Sequence, residues 1–149
     1  MLTARDIMSR DIITVTEEST IKELAKILTN NQISGVPVID DSGKLVGVVT
    51  ESDLIFQTKK VHIPTVITIL DSVFYLENPD KMGDEMKKMA GSKVKDILTS
   101  SPVTVTEETP LDEIATIMSE KNFHTLPVVN KDTLVGVIGK KDIIRTLIN

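Results

Sequence analysis

The chain has 149 residues and no cysteine, which excludes disulfides, thiolate nucleophiles and cysteine-ligated zinc or iron–sulfur centres. A formal net charge of −5, scattered lysines and an aromatic complement of three Phe, one Tyr and no Trp argue against a nucleic-acid surface, which needs clustered cations and stacking rings. No apolar run is long enough to span a bilayer, and the start Met1-Leu2-Thr3-Ala4-Arg5-Asp6 is unlike a signal peptide, so a cytoplasmic protein of one domain or two small fused units is expected.

Arg5-Asp6-Ile7-Met8 begins a helical turn, and Ile12-Ile13-Thr14-Val15 reads as extended. After the polar turn Thr16-Glu17-Glu18-Ser19, the residues Ile21, Leu24, Ala25, Ile27 and Leu28 line one face of a helix, with Ser19 as its expected N-cap and Asn30-Asn31 as its end. Val36-Pro37-Val38-Ile39 reads as a strand whose Pro belongs at an edge or a strand start. The turn Asp40-Asp41-Ser42-Gly43 should fold it as a hairpin onto residues 44–49, and residues 53–59 form a second helix.

The same order returns about ninety residues on. Lys95-Asp96-Ile97-Leu98 precedes Thr104-Val105-Thr106-Glu107-Glu108, which matches Thr14-Val15-Thr16-Glu17-Glu18 at every position. Pro110 is expected at the first helical position, Leu111, Ile114, Ala115 and Met118 restate the apolar stripe, and Leu126-Pro127-Val128-Val129 restates the strand. Two copies of so long a unit predict an α/β (α+β) fold of two β-α-β-β-α halves related by an approximate two-fold, not a solenoid. The expected division is 1–60, an insert over 61–92, and 93–149.

The most distinctive repeated stretch is Gly47-Val48-Val49-Thr50-Glu51-Ser52-Asp53, which returns as Gly136-Val137-Ile138-Gly139-Lys140-Lys141-Asp142. Each is a buried strand running into a helix start, where free N–H groups gather and an Asp can accept from sugar hydroxyls. A nucleotide site is one reading; an Asp that merely caps and charges the first helical turn is the other. In the insert, Ile63-Pro64-Thr65-Val66-Ile67-Thr68-Ile69-Leu70 is apolar and β-branched, and residues 79–90 suggest a helix with Met82, Met86 and Met89 on one side. That segment is either a linker packed on its own domain or an adaptable partner contact. His62 and His124 are too few to build a histidine metal site, and no metal is expected.

The duplicated Gly-apolar-apolar-x-x-x-Asp segment, the Val-Pro-Val strand and the Thr-Val-Thr lead-in together resemble a tandem pair of CBS (cystathionine β-synthase) domains, a Bateman module, over all but the middle insert. The resemblance implies a flat two-fold module with two clefts, usually paired with a second copy as a homodimeric disc of four motifs. It further implies adenosyl ligands such as AMP, ADP, ATP or S-adenosylmethionine, and regulation of an enzyme, channel or transporter on the same or another chain. Carried over, one cleft uses Thr50, Ser52 and Asp53 with Leu98, Val103, Phe123, His124 and Thr125, where Asp53 holds ribose hydroxyls and Thr50 faces phosphate. The other uses Lys140, Lys141 and Asp142 with Ile7, Ile12, Ile33, Ser34 and Gly35. The apolar members of both sets would equally suit a core.

Gly139 departs from the family pattern, since it stands where Thr or Ser is expected, and Lys140 or Lys141 could replace the missing hydroxyl with charge. Nothing catalytic accompanies the motifs: an enzyme would have to use His124 and Asp53 across the cleft as an acid–base pair. The expected function is a non-catalytic adenosyl-nucleotide sensor; the alternative is a structural or partner-binding protein with empty clefts. For assembly as a dimer, Leu54, Ile55, Ile143, Ile144, Leu147 and Ile148 are the available apolar residues.

Overall fold

The computed structural model describes residues 1–60, 66–69, 72–75, 92–100 and 102–148. The short helix α1 (Ala4–Ile7) is followed by α2 (Ile21–Asn31), β1 (Gly35–Ile39), β2 (Leu45–Thr50) and α3 (Glu51–Lys60). The insert contributes an antiparallel hairpin, β3 (Val66–Ile69) with β4 (Ser72–Tyr75). A 3-10 turn (Val94–Asp96) and β5 (Thr99–Ser100) lead into α4 (Leu111–Lys121), β6 (Thr125–Asn130), β7 (Thr133–Gly139) and α5 (Lys140–Arg145). His62 and the helix expected over residues 79–90, with Met82, Met86 and Met89, lie outside the described residues.

The two halves repeat one β-α-β-β-α plan, with the first strand of each reduced to a single parallel bridge. Val15 bridges Val38, and Val105 bridges Val128. In each case the valine N–H donates to a proline carbonyl, Pro37 or Pro127, at 3.1 Å. The following pairs are antiparallel hairpins, β1 with β2 and β6 with β7. Pro37 sits in β1, an edge of the three-stranded order β1-β2-β5, where a missing N–H costs no ladder bond. The shorter second turn holds Lys131 and Asp132 at φ 50° and 70°, the left-handed pair that a two-residue hairpin needs to match strand twist.

The helix starts differ by one position from the sequence expectation. Thr20, not Ser19, caps α2 by accepting the Glu23 N–H at 3.1 Å. Ser19 is already engaged, because its hydroxyl accepts the Thr16 N–H at 3.1 Å and closes the preceding turn. The repeat behaves alike: Thr109 accepts from Thr106, and Pro110 occupies the cap position with Leu111 as the first helical residue. Both helices end on a left-handed residue, Gln32 or Asn122.

Each half has its own buried cluster, and each cluster is completed by a turn from the other half. Val15, Leu24, Leu28, Val36, Val38 and Val49 pack with Val94, while Ile97 and Leu98 pack against them. Reciprocally, Val105, Ile114, Leu126, Val128 and Ile138 pack with Ala4 and Met8 from the start of the chain. Backbone hydrogen bonds hold the exchange: Ala4 N–H donates to Thr109 O at 2.9 Å, and Ser9 and Val137 bond each other in both directions. On the other side, Val94 N–H donates to Ser19 O at 2.8 Å and β5 pairs with β2. Gly136 is required by this packing, since a Cβ there would run into the sulfur of Met8. The repeated Glu-Glu pairs fasten the exchanged turns from outside: Arg5 reaches Glu107 at 3.0 Å and Glu108 at 3.1 Å, while Lys93 and Lys95 reach Glu18 at 3.1 and 3.2 Å.

Because Met8 belongs to one sequence half and fills the core of the other, Met8→Ala should cost about 2–5 kcal/mol while unfolding stays a single transition. Urea unfolding followed by circular dichroism checks this, and a first half that survives melting of the second would refute it. The exchanged turns also predict an acid limb. Hydrogen bonds from Lys93 and then Lys95 hold the Glu18 carboxyl below its ordinary pKa, and bonds from Thr3 do the same for Asp6. A depressed carboxyl stabilises the fold above its unfolded pKa, and that stabilisation is lost as pH falls through the lower folded value. The urea midpoint should therefore stay level from pH 7 to about 5 and drop below about 4, and Glu18→Gln should make the drop shallower.

Candidate functional site

The two halves leave a cavity on each side of their junction. Cavity 1, of about 330 Å³, lies between the β2–α3 turn and the loop before β6. Cavity 2, of about 420 Å³, lies between the β7–α5 turn and the loop before β1. Both are within the size range of small-ligand pockets. They share one wall: Ser34, Glu51, His124 and Thr125 line both. At its centre the Ser34 and Thr125 hydroxyls, one from each half, are hydrogen-bonded at 3.3 Å. Gly35 permits that approach, since a Cβ there would stand 2.9 Å from Thr125 Oγ1 and 3.1 Å from the Val49 carbonyl oxygen.

In cavity 1 the sequence GVVTESD places a strand end, a hydroxyl and a carboxylate within one turn. Asp53 Oδ2 accepts from the Thr50 N–H at 2.9 Å and from its hydroxyl at 3.2 Å, while the Asp53 N–H donates back to Thr50 Oγ1 at 3.3 Å. The Glu51 N–H donates to Ser34 O at 2.8 Å. The carboxylate thus caps α3 by reaching back to the residue before it. In cavity 2 Asp142 Oδ2 accepts from the Gly139 N–H at 2.7 Å, and its other oxygen takes Arg145 Nη1 at 3.2 Å. The capping and the ligand-facing readings of the repeated Asp are therefore compatible, because a carboxylate has acceptor capacity beyond the bonds a cap consumes.

A CBS domain family model matches residues 4–59 and again residues 94–149. The chain belongs to the CBS domain family. As a CBS pair it is 31% identical over 153 aligned positions to an uncharacterized protein of Methanocaldococcus jannaschii, covering 97% of this chain and 90% of that one. Among solved structures it is similar to CBSX2 in complex with AMP, with a TM-score of 0.75, 25% identity, and coverage of 99% of this chain and 97% of the other; CBSX2 comes from Arabidopsis thaliana. It is similar too to the CBS domain pair of protein MJ0100 in complex with 5′-methylthioadenosine and S-adenosyl-L-methionine, with a TM-score of 0.72, 27% identity, and coverage of 97% and 98%. The two motifs form a Bateman-type module. Among the described residues no group of His, Asp or Glu could hold a metal ion, and no helix is long and apolar enough to cross a membrane.

Thr50, Ser52, Asp53, Val103, Phe123, His124 and Thr125 line cavity 1; Ile33, Ser34, Gly35, Lys140, Lys141 and Asp142 line cavity 2. Three residues expected in the clefts line neither cavity. Ile7 and Leu98 lie on the exchanged turns and pack against the neighbouring cores, and Ile12 is half-buried between α1 and the Val15 bridge. Lining residues outside the sets expected from the motifs include Glu51, which faces both cavities, the helix-ending Gln32 and Asn122, and Arg145. Arg145 carried a signal, being three residues after Asp142 on a helix, the spacing at which opposite charges meet.

The crowding at Gly35 and the space at Gly139 give opposite expectations. Gly35→Ala should cost about 1–3 kcal/mol through the forced shift of Thr125. Gly139→Ser should be neutral to within about 0.5 kcal/mol, because the nearest atoms to its Cβ are 3.7 and 3.8 Å away and its φ of −105° suits any residue. Thermal or urea unfolding of the two variants checks the pair, and equal costs would refute the geometric argument.

Proposed function

We propose that this CBS pair is a regulatory module that binds an adenosyl ligand, of the class of AMP, ADP, ATP or S-adenosylmethionine, in the cavities between its halves and passes the binding state to a partner protein in the cytoplasm. The observation that carries the reading is cavity 1, where Thr50, Ser52 and Asp53 of one half face Phe123, His124 and Thr125 of the other across a space sized for a nucleoside. A flat base needs apolar faces and a few fixed polar groups, which Val48, Val103 and Phe123 with the backbone around His124 supply. Asp53 keeps Oδ1 for ribose hydroxyls while Oδ2 caps the helix. The adenosyl ligands of the two similar solved structures support the same reading.

A ligand that binds only the folded state must raise the melting temperature, by an amount equivalent to about 2.7 kcal/mol at a hundred times its Kd. At least one of AMP, ADP, ATP and S-adenosylmethionine should do so, and Asp53→Ala should weaken the ligand held in cavity 1 by roughly tenfold to several hundredfold in calorimetric titration. A chain that shows neither heat nor thermal shift with any of them is a structural or partner-binding CBS protein with empty clefts.

The reading includes a homodimer. Ile55 and Phe56 on α3, Ile144 on α5, and Leu147 and Ile148 in the turn after α5 are exposed apolar residues following the two motifs. Leu54 and Ile143, expected on the same surface, instead pack inward against the first and second core, as residues one position away on a helix must point elsewhere. Sedimentation at micromolar concentration should give a dimer, and Ile55→Lys with Ile144→Lys should give a monomer; a monomeric parent chain that binds ligand normally would remove the dimer from the proposal.

A further inference from the structure

The two cavities share a wall but not a charge. Cavity 1 carries two carboxylates, Glu51 and Asp53, and no Lys or Arg among its described lining residues. The Thr50 N–H and hydroxyl are committed to Asp53, the Asp53 N–H to Thr50, and the Glu51 N–H to Ser34 O. Asp142 caps α5 in cavity 2 as Asp53 caps α3 here, but a 5′-phosphate entering cavity 1 would meet Glu51 and Asp53 with no Lys or Arg among the described lining residues to offset them. Cavity 2 is the reverse. It also has carboxylates, Asp11, Glu51 and Asp142, but Lys140, Lys141 and Arg145 line it with them. Arg145 is paired to the outer oxygen of Asp142 and is otherwise open to solvent, so its fork can turn from that carboxylate to an incoming anion and release the Asp142 oxygen for a ribose hydroxyl.

On the reading that both cavities take adenosyl ligands, we propose that they sort those ligands by the charge at the 5′ position. Cavity 2 takes a 5′-phosphate, held by Arg145 with Lys140 and Lys141. Cavity 1 takes an adenosyl compound whose 5′ substituent is uncharged or cationic, a thioether or a sulfonium, because the charge of Glu51 and Asp53 is not offset there by a Lys or Arg among the described lining residues. Specificity of this kind rests as much on the repulsion built into one site as on the attraction built into the other.

Backbone amides report each cavity separately: Ser52 lies only in cavity 1, and Gly139 and Lys141 only in cavity 2. Titrating the isotope-labelled full chain with AMP at low salt should move the Gly139 and Lys141 signals at a concentration at least about tenfold below that which moves Ser52. With 5′-methylthioadenosine the order should reverse. Combining Lys140→Gln, Lys141→Gln and Arg145→Gln should weaken AMP at Gly139 by about tenfold or more and leave 5′-methylthioadenosine at Ser52 unchanged, with an unaltered melting temperature confirming that the variant folds. Ser52→Lys should admit AMP to cavity 1, a gain that a misfolded variant cannot mimic. AMP filling both cavities at one concentration, or binding the triple variant as tightly as the parent, overturns the sorting while leaving the adenosyl reading intact. If neither compound, nor S-adenosylmethionine, moves any reporter, the adenosyl reading falls and the sorting with it.

Discussion

The exchange of turns between the halves is the contact on which the rest depends. A hairpin backed by one helix has an apolar face too large for that helix to cover, and a unit of half this length buries too little surface to stand alone. Here the missing cover is Ala4 and Met8 for the second core and Val94, Ile97 and Leu98 for the first. The halves are therefore tied by backbone hydrogen bonds and buried side chains, not merely set side by side. The spaces left between them have walls of fixed composition, and neither cavity exists in one half alone.

That arrangement explains why the repeated Asp has two roles. A strand that turns at once into a helix leaves N–H groups unmatched. Asp53 and Asp142 match them from within, which keeps the turn rigid and points the carboxylate along the cavity wall. The difference between the cavities then arises one shell further out. Thr50 adds a hydroxyl to the cap in the first motif; Gly139 removes it in the second, where Arg145 has come to lie on the remaining oxygen.

Much of this was legible in the chain. The matched Thr-Val-Thr-Glu-Glu segments and the apolar stripes of α2 and α4 revealed the duplication, and Asp-Ser-Gly turn chemistry revealed the first hairpin. The exchange of turns was not legible, because pairing between segments about ninety residues apart leaves no local periodicity. For the same reason Ile7 and Leu98 read as cleft residues: an apolar side chain at the edge of a cavity and one at the edge of a core have the same composition. The caps at Thr20 and Pro110 were one position off because Ser19 and Thr109 are equally good caps, and only the folded turn shows that their hydroxyls are taken. Glu51 was invisible as a shared wall residue, since its place in both cavities follows from the two-fold and not from its neighbours in sequence.

The exchange also orders events during synthesis. Residues 4–8 leave the ribosome well before Leu126, Val128 and Ile138 of the core they cover. At ordinary translation rates the apolar side of α1 waits roughly 6–24 seconds for its seat. In that interval the first half can finish its own hairpin and helix, but its core stays open until residues 94–98 arrive. The nascent chain is thus held with uncovered surface at both ends of its first half, and closure comes only when the second hairpin has been made.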